Sequence, residues 1–276
     1  MKSRRYFTLQ CILFIALLLP FFPSTAQEII KVSGVKGVGI IAGRLSFEDA
    51  RHEAINKAKV EALRQAGVSE HLTVYEQLYR SEINNDFSEF FNSDVQAELQ
   101  GAVKEYTIVN QETTTDPQTK LPNVEVTIDA TIIKYSARPD PTFNVRVEGI
   151  KQVYEVGEYL TFSVFATQSC YLHVFAIADD YTCLLYPNFK ESFTQIPGQK
   201  KVSFPFRQEL NDYELYKDSK QPEVNRIVFV FTKTPIQYLN HSGGQEQFTT
   251  SEAIFSWVYG LMPDQRKVDY QVFTLR

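Results

Sequence analysis

Between residues 122 and 135 the polarity of the side chains reverses at nearly every step. Val124, Val126, Ile128, Ala130 and Ile132 fall on one side, and Glu125, Thr127, Asp129 and Thr131 on the other. Successive strand side chains leave opposite faces, so this alternation predicts a strand with one buried and one wet face, as in an antiparallel sheet. A partner strand is expected over about 101–113, with the turn at Asp116-Pro117. The cover for the apolar face lies upstream. Ser46-Phe47-Glu48-Asp49 is an S-x-x-D capping box that starts a helix, and Gly67 ends that helix just after Ala66. Ala50, Ala54, Ala58 and Ala62 recur every four residues, so one helix face can lie close on a sheet. Glu53 with Lys57, and Lys57 with Glu61, are spaced for ion pairs on the wet side. Residues 28–42 begin Glu28-Ile29-Ile30-Lys31-Val32 and continue through Gly34, Gly37 and Gly39. They predict a strand or a bulged pair of strands. Residues 70–99, polar and aromatic by turns, predict one or two further helices. A helix on an antiparallel sheet makes 27–136 a small α+β domain.

Ser136-Ala137-Arg138-Pro139-Asp140-Pro141 breaks the pattern. Two prolines so close together stop helix and sheet alike, and a linker is placed at 137–143. Residues 144–276 are mostly strand. Leu160, Phe162, Val164 and Ala166 alternate with other partners. Residues 170–177 and 181–186 form a hairpin turning at Asp179-Asp180, and 201–206 is a short strand. Ile227-Val228-Phe229-Val230-Phe231 is apolar on both faces, as a covered central strand should be. Thr249 and Glu252 form a second capping box, followed by Ile254, Trp257, Val258 and Leu261 at helical spacing. A last strand covers about 267–275. The fold class expected is α+β: a small helix-on-antiparallel-sheet domain, then a mostly β sandwich domain with one C-terminal helix.

Residues 1–26 have the three-part layout of a secretory signal peptide. Lys2, Arg4 and Arg5 open it, Cys11 to Leu19 is apolar, and Ser24-Thr25-Ala26 precedes a cut at Gln27. The apolar run is shorter than the roughly 20 residues of a membrane-spanning helix. Cys11 stands at the start of that run behind Gln10, so no cysteine is placed for a lipid anchor. The expectation is a periplasmic or secreted protein with no stable membrane insertion after cleavage. Loss of Lys2, Arg4 and Arg5 lowers the 28 basic residues to 25 against 33 acidic, a net charge of −8. With no basic run outside the leader, nucleic acid is excluded as a partner and an anionic membrane surface is disfavoured. Cys170 and Cys183 survive cleavage. In the expected hairpin Cys183 faces Ala176, and at roughly 3.3 Å per residue the two sulfurs lie about 20 Å apart, too far to bridge. Two buried thiols are expected instead.

Two stretches resemble known families. The glycine-punctuated strand is followed by the alanine-rich helix, from Ala50-Arg51 through Ala54, Ala58-Lys59 and Ala62-Leu63 to Ala66-Gly67. This stretch resembles the N-terminal domain of flagellar assembly protein T and related envelope lipoprotein domains. The strand pair up to Tyr135 fits that likeness, while the missing acyl-anchor cysteine departs from the lipoprotein relatives. Further on come Gly157-Glu158-Tyr159-Leu160-Thr161-Phe162, Cys170-Tyr171-Leu172, Leu184-Leu185-Tyr186-Pro187-Asn188, Ile196-Pro197-Gly198-Gln199, Phe204-Pro205, Ile227-Val228 and Thr234-Pro235. Together they resemble domain of unknown function family 4384 over about 145–240. That family occurs mostly in secreted or modular bacterial proteins, sometimes beside caspase-like peptidase domains. The resemblance implies a β-rich, non-catalytic accessory module and transfers no ligand or active-site residue.

Several motifs stop short of chemistry. His52-Glu53-Ala54-Ile55-Asn56 begins like a zinc helix, but Asn56 stands where the second histidine is needed, so a solvated His52 is expected. Gly34, Gly37, Gly39 and Gly43 match neither phosphate-loop spacing. Asp179-Asp180 lacks the acidic ladder of a calcium loop, and His241-Ser242-Gly243-Gly244 is no nucleophile elbow. His173 lies in a strand as a packed or edge imidazole. No catalytic residue, cofactor-binding residue or metal ligand is assigned. The expected function is that of a non-catalytic exported cell-envelope protein, an adaptor or assembly factor working through contacts with other envelope proteins. The alternative is a glycan or peptidoglycan binding module that uses Tyr181 and Tyr186 as exposed aromatics.

Overall fold

The structure is a computed structural model describing residues 27–43, 45–68, 79, 99–178, 181–207, 213–241 and 247–276. The leader, nearly all of 70–99 and the Asp179-Asp180 turn lie outside the described residues. The first lobe comprises β1 (Glu28–Ile40), α1 (Phe47–Gln65), β2 (Gly101–Thr115) and β3 (Pro122–Lys134). Its sheet is antiparallel with order β1-β3-β2. The apolar row of β3, Val124 to Ile132, is buried against Ala50, Ala54, Ala58 and Ala62 of α1. The expected capping box is present. The Ser46 hydroxyl accepts from the Asp49 N–H at 3.1 Å, and the Asp49 carboxylate accepts from the Ser46 N–H at 2.8 Å. The N–H and the hydroxyl of Ser46, both donating to that carboxylate at 2.8 Å, hold it below the usual range.

The glycines of β1 divide into two jobs. At Gly34 (φ 69°) the register shifts between Val32 and Val35, so one glycine makes the expected bulge. Gly37 and Gly39 lie beneath α1. A Cβ at Gly37 would stand 1.9 Å from the Ala54 carbonyl oxygen, and one at Gly39 would stand 1.8 Å from that of Ala50. Glycine in the strand and alanine in the helix are two halves of one close approach. Of the two expected ion pairs, Glu53–Lys57 forms at 2.8 Å. Lys57–Glu61 does not, because Glu61 pairs with Arg64 at 2.7 Å and accepts from Gln65 at 3.0 Å. His52 is exposed, and Asn56 donates to the Tyr79 carbonyl at 2.7 Å.

The second lobe is a sandwich. β4 (Val145–Glu148), β6 (Phe162–Ala166) and β9 (Lys201–Phe204) form one sheet in the order β4-β6-β9. β5 (Val153–Tyr154), β7 (Tyr171–Ile177), β8 (Thr182–Tyr186), β10 (Glu223–Thr232) and β11 (Arg266–Leu275) form the other, in the order β5-β11-β10-β7-β8. Phe162 packs flat on Phe204, ring centroids 4.2 Å apart, and edge-on to Phe229 at 5.0 Å. β10 lies between β7 and β11 and is buried on both faces, as expected. The proline segment is pinned to this lobe. Phe143 is in its core, and Asp140 pairs with Lys233, which holds its carboxyl well below the usual range. Cys183 stands opposite Ala176, and neither cysteine forms a disulfide. Cys170 is buried but Cys183 only half-buried, so the expectation of two buried thiols holds for one of them.

α2 (Ser251–Gly260) is capped one residue later than the sequence suggests. The Thr250 hydroxyl accepts from the Ala253 N–H at 3.2 Å. Thr249 is extended along β8, its N–H on the Thr182 carbonyl and its hydroxyl on the Asn240 carbonyl at 2.6 Å. α2 is covered on both sides. Trp257 meets His173, Phe175 and Tyr238 of the sandwich, and the Ser256 hydroxyl donates to the Lys104 carbonyl of β2 at 2.6 Å. The Tyr135 hydroxyl, at the end of β3, donates to the Tyr259 carbonyl at 2.9 Å. Buried Arg266 donates to the carbonyls of Val258, at 2.7 Å, and Leu261. One apolar core therefore runs from α1 through β3 and α2 to the outer face of the five-stranded sheet. Among the described residues no helix is long and apolar enough to cross a membrane.

Candidate functional site

A pocket of about 590 Å³ opens at one end of the sandwich. Its floor is the inner face of the five-stranded sheet: Ala176, Cys183, Ile227 and Phe273. None of β4, β6 or β9 reaches this end, and segment 213–218 supplies the facing wall instead. Backbone bonds pin that wall. The Leu160 N–H donates to the Tyr213 carbonyl at 2.8 Å, and the Leu215 N–H to that of Glu158 at 2.8 Å. A third wall, Gln247-Phe248, is pinned to β8 by the Leu184 N–H on the Gln247 carbonyl at 2.9 Å. Four aromatic side chains ring the mouth: Tyr181 (37 % exposed), Phe189 (58 %), Tyr216 (67 %) and Phe248 (44 %). The volume is in the range of small-ligand sites, and such a collection of exposed rings on one cavity marks a recognition surface.

A buried polar cluster stiffens one side. Asn188 closes its own turn, its Oδ1 accepting from the N–H groups of Lys190 (2.9 Å) and Glu191 (2.8 Å). Its Nδ2 donates to the Leu185 carbonyl and to the Tyr213 hydroxyl, both at 2.7 Å. Tyr213 donates in turn to the buried Glu191 carboxylate at 2.6 Å, whose other oxygen accepts from the Arg207 N–H at 2.9 Å. Burial, and then that carboxylate, push the Tyr213 phenol far up. The run Leu184 to Asn188 is thus the brace of a pocket wall.

Tyr181 lines the pocket, its phenol pushed up to about 12 by partial burial, with Cys183 and Glu223 adding to the effect. Tyr186 is placed otherwise than expected. It is 0 % exposed, its hydroxyl donating to the Ser192 carbonyl at 3.0 Å, and it presents no face to a ligand. A bulge decides its face: Phe175 pairs with Leu184 but Val174 with Tyr186, so Leu185 is an extra residue and Tyr186 turns from the face of Leu184 into the core between the sheets. One added residue turns everything after it to the opposite face. Phe189, Tyr216 and Phe248 escaped the sequence reading. Their only signal was an aromatic outside any alternating run, between polar neighbours at Phe189 and Phe248 and beside Lys217 at Tyr216. His173 is buried in the core, away from the pocket, and no histidine lines the pocket among the described residues. No three His, Cys, Asp or Glu side chains gather as a ligand set among the described residues.

Neither a family model nor a curated protein matches this chain.

Proposed function

We propose that this is an exported, non-catalytic cell-envelope protein, an adaptor or assembly factor that takes hold of a protein partner in the aromatic pocket of its sandwich lobe. One observation carries the reading: four exposed rings from four separate segments converge on one cavity whose walls are fixed by backbone hydrogen bonds. Rigid exposed aromatics are the side chains that dominate protein interfaces. The leader-like N-terminus and the resemblance to secreted accessory modules support the compartment. A glycan or peptidoglycan ligand is the second reading, favoured by Tyr181 standing in the pocket with two Phe and a second Tyr, since sugar rings also stack on aromatics.

The test is photocrosslinking in intact cells. A benzophenone amino acid at Phe248 should capture an exported protein that the same label at exposed Ile29, on the first lobe, does not capture. The same adducts at both positions, or adducts only with cytosolic proteins, would overturn the reading. N-terminal sequencing of the recovered protein should begin at Gln27.

A further inference from the structure

We infer that the pocket accepts a positively charged side chain, arginine above all, presented by a peptide or protein partner. The inference rests on the reading of the pocket as the contact site and adds the chemistry of what enters it. Several donors of the lining are used internally, and the Lys190 ammonium of the lining lies over the Phe189 ring. The Nδ2 hydrogens of Asn188 go to Leu185 and Tyr213, Asn225 Nδ2 donates to Glu223 at 2.8 Å, and the Tyr216 hydroxyl donates to Asp218 at 2.8 Å. Acceptors are left over. The Glu214 and Asp218 carboxylates line the wall with no ion-pair partner among the described residues, and the Gln247 Oε1 is buried without a donor. A sugar hydroxyl both gives and takes hydrogen bonds, and would use this imbalance poorly. A guanidinium carries five donors and no acceptor, and its charge meets the two carboxylates.

The rings point the same way. Among the described residues the faces of Tyr181, Tyr216 and Phe248 stack on no other ring, and a ring face attracts cations. One cation already uses this geometry: Lys190 Nζ stands 5.3 Å from the Phe189 ring centre. A planar guanidinium can stack on such a ring while its edge reaches a carboxylate. With the leader removed, 25 basic residues against 33 acidic leave a net charge of −8, which draws cationic partners towards it.

The test titrates the purified natural protein with N-acetyl-arginine methylamide, its neutral citrulline counterpart and chitotriose. Binding is read by saturation-transfer NMR, and occupancy of the pocket by protection of Cys183 from alkylation. The arginine compound should bind saturably and shield Cys183, and the citrulline compound should bind about tenfold more weakly. Glu214→Gln combined with Asp218→Asn should weaken arginine binding by about tenfold with an unchanged melting temperature, since both side chains are exposed. The proposal is overturned by equal binding of arginine and citrulline, by an unaffected double variant, or by chitotriose shielding Cys183 at lower concentration. Absence of saturation at about 50 mM overturns it too. A specific crosslink at Phe248 with none of these arginine effects sinks the charge assignment and leaves the contact site. Arginine binding without that crosslink does the reverse.

Discussion

His173 sits in the middle of β7, almost wholly buried, among the rings of Phe193 at 4.7 Å and Trp257 at 4.8 Å. Its Nε2 accepts from the Tyr238 N–H at 3.3 Å, so the neutral imidazole carries its proton on Nδ1, which has no partner. A charged ring would lose that bond and sit unsolvated. Burial accordingly pushes the imidazole down from 6.5 to about 3. The unfolded chain takes up a proton near pH 6.5 that the folded chain refuses until about pH 3, so stability is full above that window and falls as pH falls through it. From pH 7 to pH 5 the natural protein should lose about 2 kcal/mol more than His173→Phe in urea unfolding. Equal losses would mean that the ring is solvated. At this same scale Tyr181 was legible as an exposed aromatic, because in the sequence it follows the polar pair Asp179-Asp180. The burial of Tyr186 was not, because a bulge turns its ring into the core between the sheets.

The elements that the sequence announced are those whose two faces meet different surroundings. β3 alternates because α1 covers one side of it, and β10 is apolar on both faces from Ile227 to Phe231 because both of its sides are covered there. The glycines of β1 could not be read the same way. What forbids a side chain at Gly37 is the Ala54 carbonyl, which sequence alone does not place there. The contact makes a sharp prediction. Gly37→Ala must push α1 off the sheet and should cost about 3 kcal/mol, the upper range for overpacking. Gly43→Ala is the control. Its φ is +63° with nothing within 4 Å, so it should cost only the backbone strain of about 1 kcal/mol. Urea midpoints of the two variants decide it, and a Gly37→Ala no worse than Gly43→Ala would show that the helix does not lie so close. The N-cap of α2 was misread by one residue for a related reason: pairing with β8 keeps Thr249 extended, which leaves the capping role to Thr250.

At the scale of the molecule, the proline break suggested two modules, yet the apolar core passes between them through α2. Phe255 and Tyr259 line a crevice with Val103 and Tyr106 of β2, while Ile254 and Val258 belong to the core that includes Val228 and Val230 of β10. Arg266, at the start of β11, ties the end of this helix to both sides, with its guanidinium 5.3 Å from the Tyr135 ring and 5.9 Å from that of Tyr259. A helix shared in this way should make the lobes unfold as one. Nature has supplied the probe, because Trp257 is the single tryptophan of the chain and lies on α2. Its fluorescence reports the joint, whereas far-ultraviolet circular dichroism reports the strands of all three sheets. In thermal unfolding the two signals should coincide in the natural protein, as one cooperative unit requires. Arg266→Ala strands the carbonyls of Val258 and Leu261, at a cost of about 3 kcal/mol. It should lower the Trp257 transition ahead of the dichroism, dividing one step into two. Separate transitions in the unaltered protein would mean that α2 is a lid on the sandwich and that the first lobe merely rests against it.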